Sequence, residues 1–309
     1  MRHGVPQGSI LGPLLFLLYI NDIIQASKKI EFLLFADDTS IFLADKDLKK
    51  MEKTLNEELI NVSNWLKANK LSLNVKKPNV LLFRPKNESK KKQATIDLKI
   101  DGAAIEEKQS AKYLGLYFDN KMTFKEHVNH IITKLKKGNG ILAKLRYFVP
   151  EEVIRNVYFA HIESHLNYGS LTWGTTGKYN IDKITALQKK AIKIIKFVKT
   201  REHIELPFKT NKFLPFDRLR AFAMTKFIWK TTNNTIDCRH LLEQNQVTES
   251  ERDNQKFLIP YRNTLIAKNS VFYTGIIEWN KIPDNIKSST SFSSFNKSCK
   301  EHMISKLNL

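Results

Sequence analysis

In the first third of this sequence the apolar positions come in short blocks split by turn residues; from about position 123 they recur at helical spacing. A loop bearing Gly and Pro at residues 4–8 leads into residues 10–24, where Ile10, Leu11, Leu14, Leu15, Leu17, Leu18 and Ile20 leave few polar positions on any face. That pattern predicts a buried helix, enclosed on all sides rather than amphipathic. Ser9 stands where its hydroxyl can accept from a free N–H of the first turn. Two β-type runs follow at 31–35 and 39–43 with Ala36-Asp37-Asp38 between them, which predicts a hairpin with the acidic pair at its tip. Residues 47–66 place Leu48, Met51, Leu55, Leu59, Val62 and Leu66 on one helical face. Extended runs at 80–83, 94–100 and 113–118 surround a Lys-rich segment at 86–92. The class expected for this part is α+β with hairpins, not a regular alternation of strand and crossover helix.

Further on, Val128, Ile131, Ile132, Leu135, Ile141, Leu142 and Leu145 form one apolar stripe, with Lys134, Lys136, Lys137, Lys144 and Arg146 around it. A second basic helix is expected over 181–198, with Ile184, Leu187, Ala191, Ile194, Ile195 and Val198 inside and Lys183, Lys189, Lys190, Lys193 and Lys196 outside. After position 200, Pro207, Pro215, Pro260 and Pro283 punctuate short helical stretches, residues 252–262 read as an extended basic segment, and a Ser-rich break at 288–294 precedes a last helix. The organisation expected is therefore 1–118, 119–200 and a mainly helical 201–309.

Charge sharpens this picture. The 309 residues carry 51 basic against 31 acidic side chains, a net +20, which favours a polyanionic partner over a small neutral ligand. Lys-rich faces on any one helix serve solubility equally well; two of them beside an acidic hairpin tilt the reading towards nucleic acid. No apolar run reaches the roughly 18 residues a membrane span needs, and the opening lacks a secretory layout. With only Cys238 and Cys299 there is no disulfide framework, so the expected location is intracellular, nuclear or cytoplasmic. His127 with His130, and His161 with His165, are spaced to share a helix face, but neither pair has a third ligand nearby, so packing or surface positions are expected.

Two features carry candidate chemistry. Adjacent carboxylates at a hairpin tip repel one another unless a divalent cation or solvent neutralises them; magnesium suits such a site through its preference for hard oxygen ligands. A two-metal nucleotidyl transfer needs carboxylates from at least two backbone segments, so one turn cannot supply the set. Alone, an Asp-Asp turn is equally an ordinary acidic turn. The Gly-bearing loop at a helix start exposes backbone N–H groups and admits close approach of a nucleotide, though in isolation it is equally a tight turn.

Together, Gly4-Val5-Pro6-Gln7-Gly8-Ser9-Ile10-Leu11-Gly12-Pro13-Leu14-Leu15-Phe16, Tyr19-Ile20-Asn21-Asp22 and Phe35-Ala36-Asp37-Asp38-Thr39 resemble the palm of reverse transcriptases from non-LTR retrotransposons, particularly jockey-like and CR1-like elements. Asn69-Lys70-Leu71-Ser72-Leu73-Asn74 with Lys77 resembles the family's next motif, departing at Pro78, where a small hydroxyl residue is usual. Tyr113-Leu114-Gly115-Leu116 and Phe118-Asp119 are similar to the segment that supports the primer end; Tyr168-Gly169, Trp173-Gly174, Leu187-Gln188-Lys189-Lys190-Ala191 and Trp279-Asn280-Lys281-Ile282-Pro283 carry the likeness through the rest of the chain.

The resemblance implies a partial palm of hairpins and helices followed by a helical thumb and C-terminal region, and an RNA-directed DNA polymerase activity using two Mg2+ ions. It implies Asp37 as the main metal ligand of the hairpin, with Asp38 beside it. Pro6, Gln7, Gly8, Ser9, Phe35 and Ala36 would shape the template and nucleotide pocket, Lys77 would lie near the triphosphate, and Leu114 and Gly115 would grip the primer. Implied partners are an RNA template, a DNA primer or RNA–DNA hybrid, and deoxynucleoside triphosphates, with no membrane. The family's other metal-binding Asp lies upstream of the Gly-Val-Pro-Gln-Gly loop, so this chain is expected to be inactive alone, to leave the apolar surface at 10–24 and a strand edge short of cover, and to associate with the upstream polymerase segment. The alternative is a non-catalytic nucleic-acid-binding remnant.

Overall fold

Asp47 fixes the start of the longest N-terminal element: its carboxylate accepts from the N–H groups of Lys49 (2.9 Å) and Lys50 (3.4 Å), satisfying donors that a helix start leaves free. The computed structural model describes residues 6, 8–73, 78–84, 95–197, 208–209, 212–244, 249–250 and 253–307. The chain divides into two compact units, Met1–Ala111 and Lys112–Leu309, and is a mixed helix and strand protein in which helix predominates.

In the first unit, α1 (Leu11–Ile20) continues as a 3-10 turn (Asn21–Ala26), then β1 (Glu31–Phe35), β2 (Asp38–Phe42) and α2 (Leu48–Ala68) follow. Strands β3 (Asn79–Val80), β4 (Leu98–Ile100) and β5 (Ala103–Glu107) form a second sheet in the order β3-β5-β4. Met51 and Leu59 of α2 pack on Ile96, Leu98 and Ile100 as the core of this unit. Polar α2 side chains finish the free edge of β4. Asn56 donates to Asp97 O (2.9 Å) and accepts from Lys99 N–H (2.9 Å), while Glu52 accepts from Asp97 N–H (3.1 Å), so the edge backbone groups are not left unpaired.

The expectation of a buried helix at 10–24 is corrected here. The helix forms, but only Ile20 and Ile23 are buried; Ile10 is 94% exposed and Leu18 68%. Periodicity reports which faces a helix could bury, not whether anything covers them. The core of this unit takes in no residue of α1, and β1 and β2 make a sheet of only two strands among the described residues.

The unit boundary falls within β6 (Ser110–Tyr113), which is joined to β7 (Leu116–Asp119) by Leu114-Gly115. The apolar run at 113–118 predicts a single extended segment; instead Leu114 (φ +44°) and Gly115 (φ +80°) turn the chain in two residues. The Asp119 carboxylate then accepts from the N–H groups of Lys121, Thr123 and Phe124 (3.1, 3.0 and 2.6 Å), shaping the entry to α3 (Lys125–Leu145). Helix α4 (Glu151–Tyr158) runs through a π turn (Phe159–Glu163) into α5 (Ser164–Asn167), followed by α6 (Ser170–Trp173), α7 (Lys178–Lys196), α8 (Phe216–Thr232) and α9 (Arg239–Gln244). Strands β8 (Glu249–Ser250) and β9 (Asp253–Phe257) pair antiparallel, and α10 (Leu265–Asn269), α11 (Ile276–Asn280), α12 (Asp284–Lys287) and α13 (Phe292–Ser305) complete the unit.

This unit holds a large aromatic core. Trp173 stacks on Phe216 with ring centroids 5.1 Å apart, Tyr158 lies 4.6 Å from Phe213, and Trp229 stacks on Phe295 at 5.3 Å. Gln188, fully buried, donates to Tyr158 Oη (3.0 Å) and Leu214 O (2.8 Å). Helices α3 and α7 run parallel: Asn139 donates to Leu187 O (3.0 Å), and further along both, the Arg146 guanidinium lies 3.9 Å from the Phe197 ring centroid. Gly138 lets α3 approach the π turn, since a Cβ there would stand 2.6 Å from Ile162 Cδ1.

Candidate functional site

The acidic hairpin is built by its register. Glu31 pairs with Phe42, Leu33 with Ser40 and Phe35 with Asp38, which leaves Ala36 and Asp37 as a two-residue turn. Asp37 therefore occupies the tip and Asp38 opens β2, one residue earlier than the run at 39–43 suggested. Ala36 holds φ at +50°, a left-handed backbone that costs a residue with a Cβ about 1–2 kcal/mol; such strain is concentrated where a turn must hold side chains in place. Both carboxylates are exposed. Residues paired across the ladder project to one face, so Asp38 shares a face with Leu33 (46% exposed), Phe35 (60%) and Phe42 (43%).

Two adjacent, solvated carboxylates suit a hard cation that keeps waters and takes one or two protein oxygens. They do not make a two-metal set. Among the described residues no group of three or more His, Cys, Asp or Glu side chains is placed to hold a metal ion, and the chemistry of two ions needs ligands from another backbone segment.

The Gly-bearing loop shows a tight turn at the described positions: Ser9 N–H donates to Pro6 O (3.1 Å), Gly8 holds φ +87°, and Ser9 Oγ accepts from Gly12 N–H (3.1 Å) at the start of α1. Pro6 and Gly8 are exposed and Ser9 half-buried. Gln7, Lys77 and the Lys-rich segment at 86–92 lie outside the described residues. Phe35, Ala36, Asp37 and Asp38 are thus brought together on one hairpin, and Pro6, Gly8 and Ser9 on one loop.

Leu114 and Gly115 belong to the second unit. Tyr168 donates its hydroxyl to Leu114 O (2.7 Å), and a Cβ on Gly115 would stand 3.3 Å from the Tyr168 ring. Trp173 Nε1 donates to Tyr168 O (2.7 Å), and Gly169, at φ +62°, lies where a Cβ would strike Leu116 at 2.8 Å. Tyr168 and Gly169, with Trp173 bracing Tyr168, therefore hold the β6–β7 turn against the helices, a role invisible in their spacing alone. Beneath this clamp His127 is 2% exposed, 5.3 Å from the Trp173 ring, and burial pushes its imidazole down to about 4, with nearby His130 adding to the effect. Its Nδ1 accepts from Tyr117 N–H at 3.4 Å.

Comparison with known proteins places these features. Residues 1–118 match the family model described as reverse transcriptase (RNA-dependent DNA polymerase). The chain is 27% identical over 208 residues to a probable RNA-directed DNA polymerase from transposon BS of Drosophila melanogaster, covering 63% of this chain and 22% of that protein. It is 27% identical over 235 residues to the RNA-directed DNA polymerase from mobile element jockey of the same organism, covering 71% and 25%. A Pol polyprotein from the type-1 retrotransposable element R1 2 of Nasonia vitripennis is 29% identical over 186 residues, covering 57% and 44%. No solved structure matches the chain. Residues 1–118 thus resemble reverse transcriptases, and the chain is similar over more than half its length to the RNA-directed DNA polymerases of non-LTR retrotransposons. It spans about a fifth to a quarter of the length of the curated relatives matched first. Each alignment quoted is longer than 118 residues, so the likeness runs on into the helical unit.

Proposed function

We propose that this chain is part of an RNA-directed DNA polymerase, with 1–118 as a portion of the palm, 119–200 as a thumb-like region and 201–309 as a helical C-terminal region. The observation that carries the reading is the Phe35-Ala36-Asp37-Asp38 hairpin, which holds two solvated carboxylates within the segment that matches the reverse transcriptase family. Asp37 at the turn is the principal Mg2+ ligand and Asp38 its neighbour; bound Mg2+ would supply charge stabilisation for the attacking hydroxyl and the leaving pyrophosphate. Pro6, Gln7, Gly8 and Ser9 border the template and nucleotide, Lys77 faces the triphosphate, and Leu114-Gly115 supports the primer. Substrates and partners are an RNA template, a DNA primer or hybrid, deoxynucleoside triphosphates, and an upstream polymerase segment bringing the remaining carboxylate.

One carboxylate pair cannot hold two ions in line, so the chain by itself does not extend a primer at a useful rate. Primer extension on an RNA template with Mg2+ tests both parts. Processive synthesis abolished by Asp37→Ala would overturn the inactivity and uphold the polymerase site; synthesis unaffected by Asp37→Ala would overturn the assignment of that site. The exposed lysines of α3 and α7 favour a second reading, a nucleic-acid-binding remnant without catalysis. It predicts salt-dependent binding that is indifferent to both Asp37→Ala and Mg2+ chelation.

A further inference from the structure

Helices α3 and α7 run parallel, so their C-terminal ends meet, and there the chain presents aromatic rings to water. Tyr147 is 70% exposed, Phe148 83% and Phe197 53%. The Arg146 guanidinium lies 3.9 Å from the Phe197 ring centroid and 4.9 Å from that of Tyr147, and the two rings stand 5.8 Å apart, nearly perpendicular. Phe197 is itself the left-handed residue that ends α7, at φ +54°. Arg146, Tyr147 and Phe197 therefore brace one another before any ligand arrives, which lowers the ordering cost of binding.

We propose that Tyr147, Phe148 and Phe197, braced by Arg146, form a platform on which unpaired bases of a single-stranded nucleic acid stack. The charge around the rings selects this occupant. Lys137 and Lys144 on α3 and Lys189 and Lys190 on α7 are exposed on the two helices that end at the cluster. Of the acidic residues at the start of α4, Glu151 is paired with Lys196 at 2.5 Å, leaving Glu152 exposed beside it. Rings flanked by lysines match an alternation of flat bases and phosphates. The strand must be single, because base faces are stacked away inside a duplex and only unpaired bases reach aromatic side chains. The helix ends define the arrangement further. The terminal carbonyls of α3 and α7 carry partial negative charge, so the uncharged bases sit at the rings while the phosphates lie back along the lysines.

This inference rests on the nucleic-acid reading of the helical unit but not on polymerisation. The test is fluorescence anisotropy of the full chain with unstructured single-stranded RNA, single-stranded DNA and a duplex of equal length, each across a salt series, with a 2-aminopurine-bearing strand to report stacking. The variant Tyr147→Ala/Phe148→Ala removes two exposed rings, and circular dichroism checks that it folds as the parent does. The platform predicts at least about fivefold weaker single-strand binding, an unchanged salt slope, unchanged duplex binding, loss of the 2-aminopurine response, and recovery with Tyr147→Trp/Phe148→Trp. Lys137→Ala/Lys144→Ala should instead flatten the salt slope. Preference for the RNA or the DNA strand identifies the sugar, and either supports the platform. Wild-type binding that the double alanine variant leaves intact, or weakens equally on duplex, overturns the platform alone. Absence of any nucleic-acid binding by wild type overturns it together with the nucleic-acid reading of this unit.

Discussion

Acid should loosen the helical unit through one side chain. His127 is buried against Trp173, and its Nδ1 already faces a donor, the N–H of Tyr117, so a second proton on the ring would set donor against donor and place a charge beside apolar groups. The folded imidazole titrates at about 4, below the ordinary 6.5. A group depressed on folding binds its proton more readily in the unfolded chain, so stability is complete above pH 6.5 and declines as pH falls towards 4. For those two values the loss between pH 7 and pH 5 comes to about 2 kcal/mol. The assay is urea unfolding followed by tryptophan fluorescence at pH 7, 6 and 5, for wild type and His127→Gln. Gln keeps an acceptor for Tyr117 and does not titrate, so taking the difference removes the background from His130, His165 and His302, whose imidazoles burial also depresses. The variant is expected to be less stable at pH 7 but to lose about 2 kcal/mol less on acidification. Parallel pH profiles for the two proteins would refute the argument.

Glycines two residues apart on α3 should respond oppositely to alanine. At Gly138 the new Cβ meets Ile162 Cδ1 at 2.6 Å and His161 O at 3.0 Å, so Gly138→Ala should cost about 1–3 kcal/mol despite better helix propensity, whereas Gly140 has open space and Gly140→Ala should gain about 0.5–1 kcal/mol in the same chemical denaturation experiment. Asn280 accepts from Phe257 N–H (3.1 Å) and donates to Phe257 O (2.8 Å), so Asn280→Ala should destabilise by about 1–3 kcal/mol, measured as a drop in the denaturation midpoint; a change within error would mean that water replaces both bonds. Native-state hydrogen exchange should show less protection in α1, β1 and β2 than in α3 and α7, because the first unit has a far smaller core; equal protection would count against that ranking.

What the sequence made legible tracks periodicity and turn chemistry. Helix α2 begins at the residue after Asp47 and buries Met51, Leu59 and Val62 as its stripe demanded, and Ser291, within the Ser-rich stretch at 288–294, caps a last helix that starts inside that stretch. The acidic hairpin was readable because β-type runs flanked a short turn. Helix α8 was not: Phe216, Leu219, Phe222, Met224, Ile228 and Trp229 are all buried, so no polar face gives it a period. The enclosure expected of α1 failed for the complementary reason, since composition cannot state what stands opposite. Asp37 and Asp38 stand at the turn that their flanking runs predict, whereas the clamp of Tyr168 on Leu114 joins positions 54 residues apart and leaves no local signal. The grouping of Arg146 with Tyr147 and Phe197 leaves no local signal either, because it depends on two helices running in parallel.

The Tyr168 bond to Leu114 also dictates where this polypeptide can be dissected. The family match ends at residue 118, inside β7, yet the β6–β7 turn is fastened to helices that come much later. A cut placed at the edge of the match would strip Leu116 from beneath Gly169 and the Tyr117 amide from His127, uncapping the aromatic interior of the remaining piece. A recombinant fragment intended to retain that interior should begin no later than Ser110, with the whole β6–β7 hairpin treated as the front edge of the helical body.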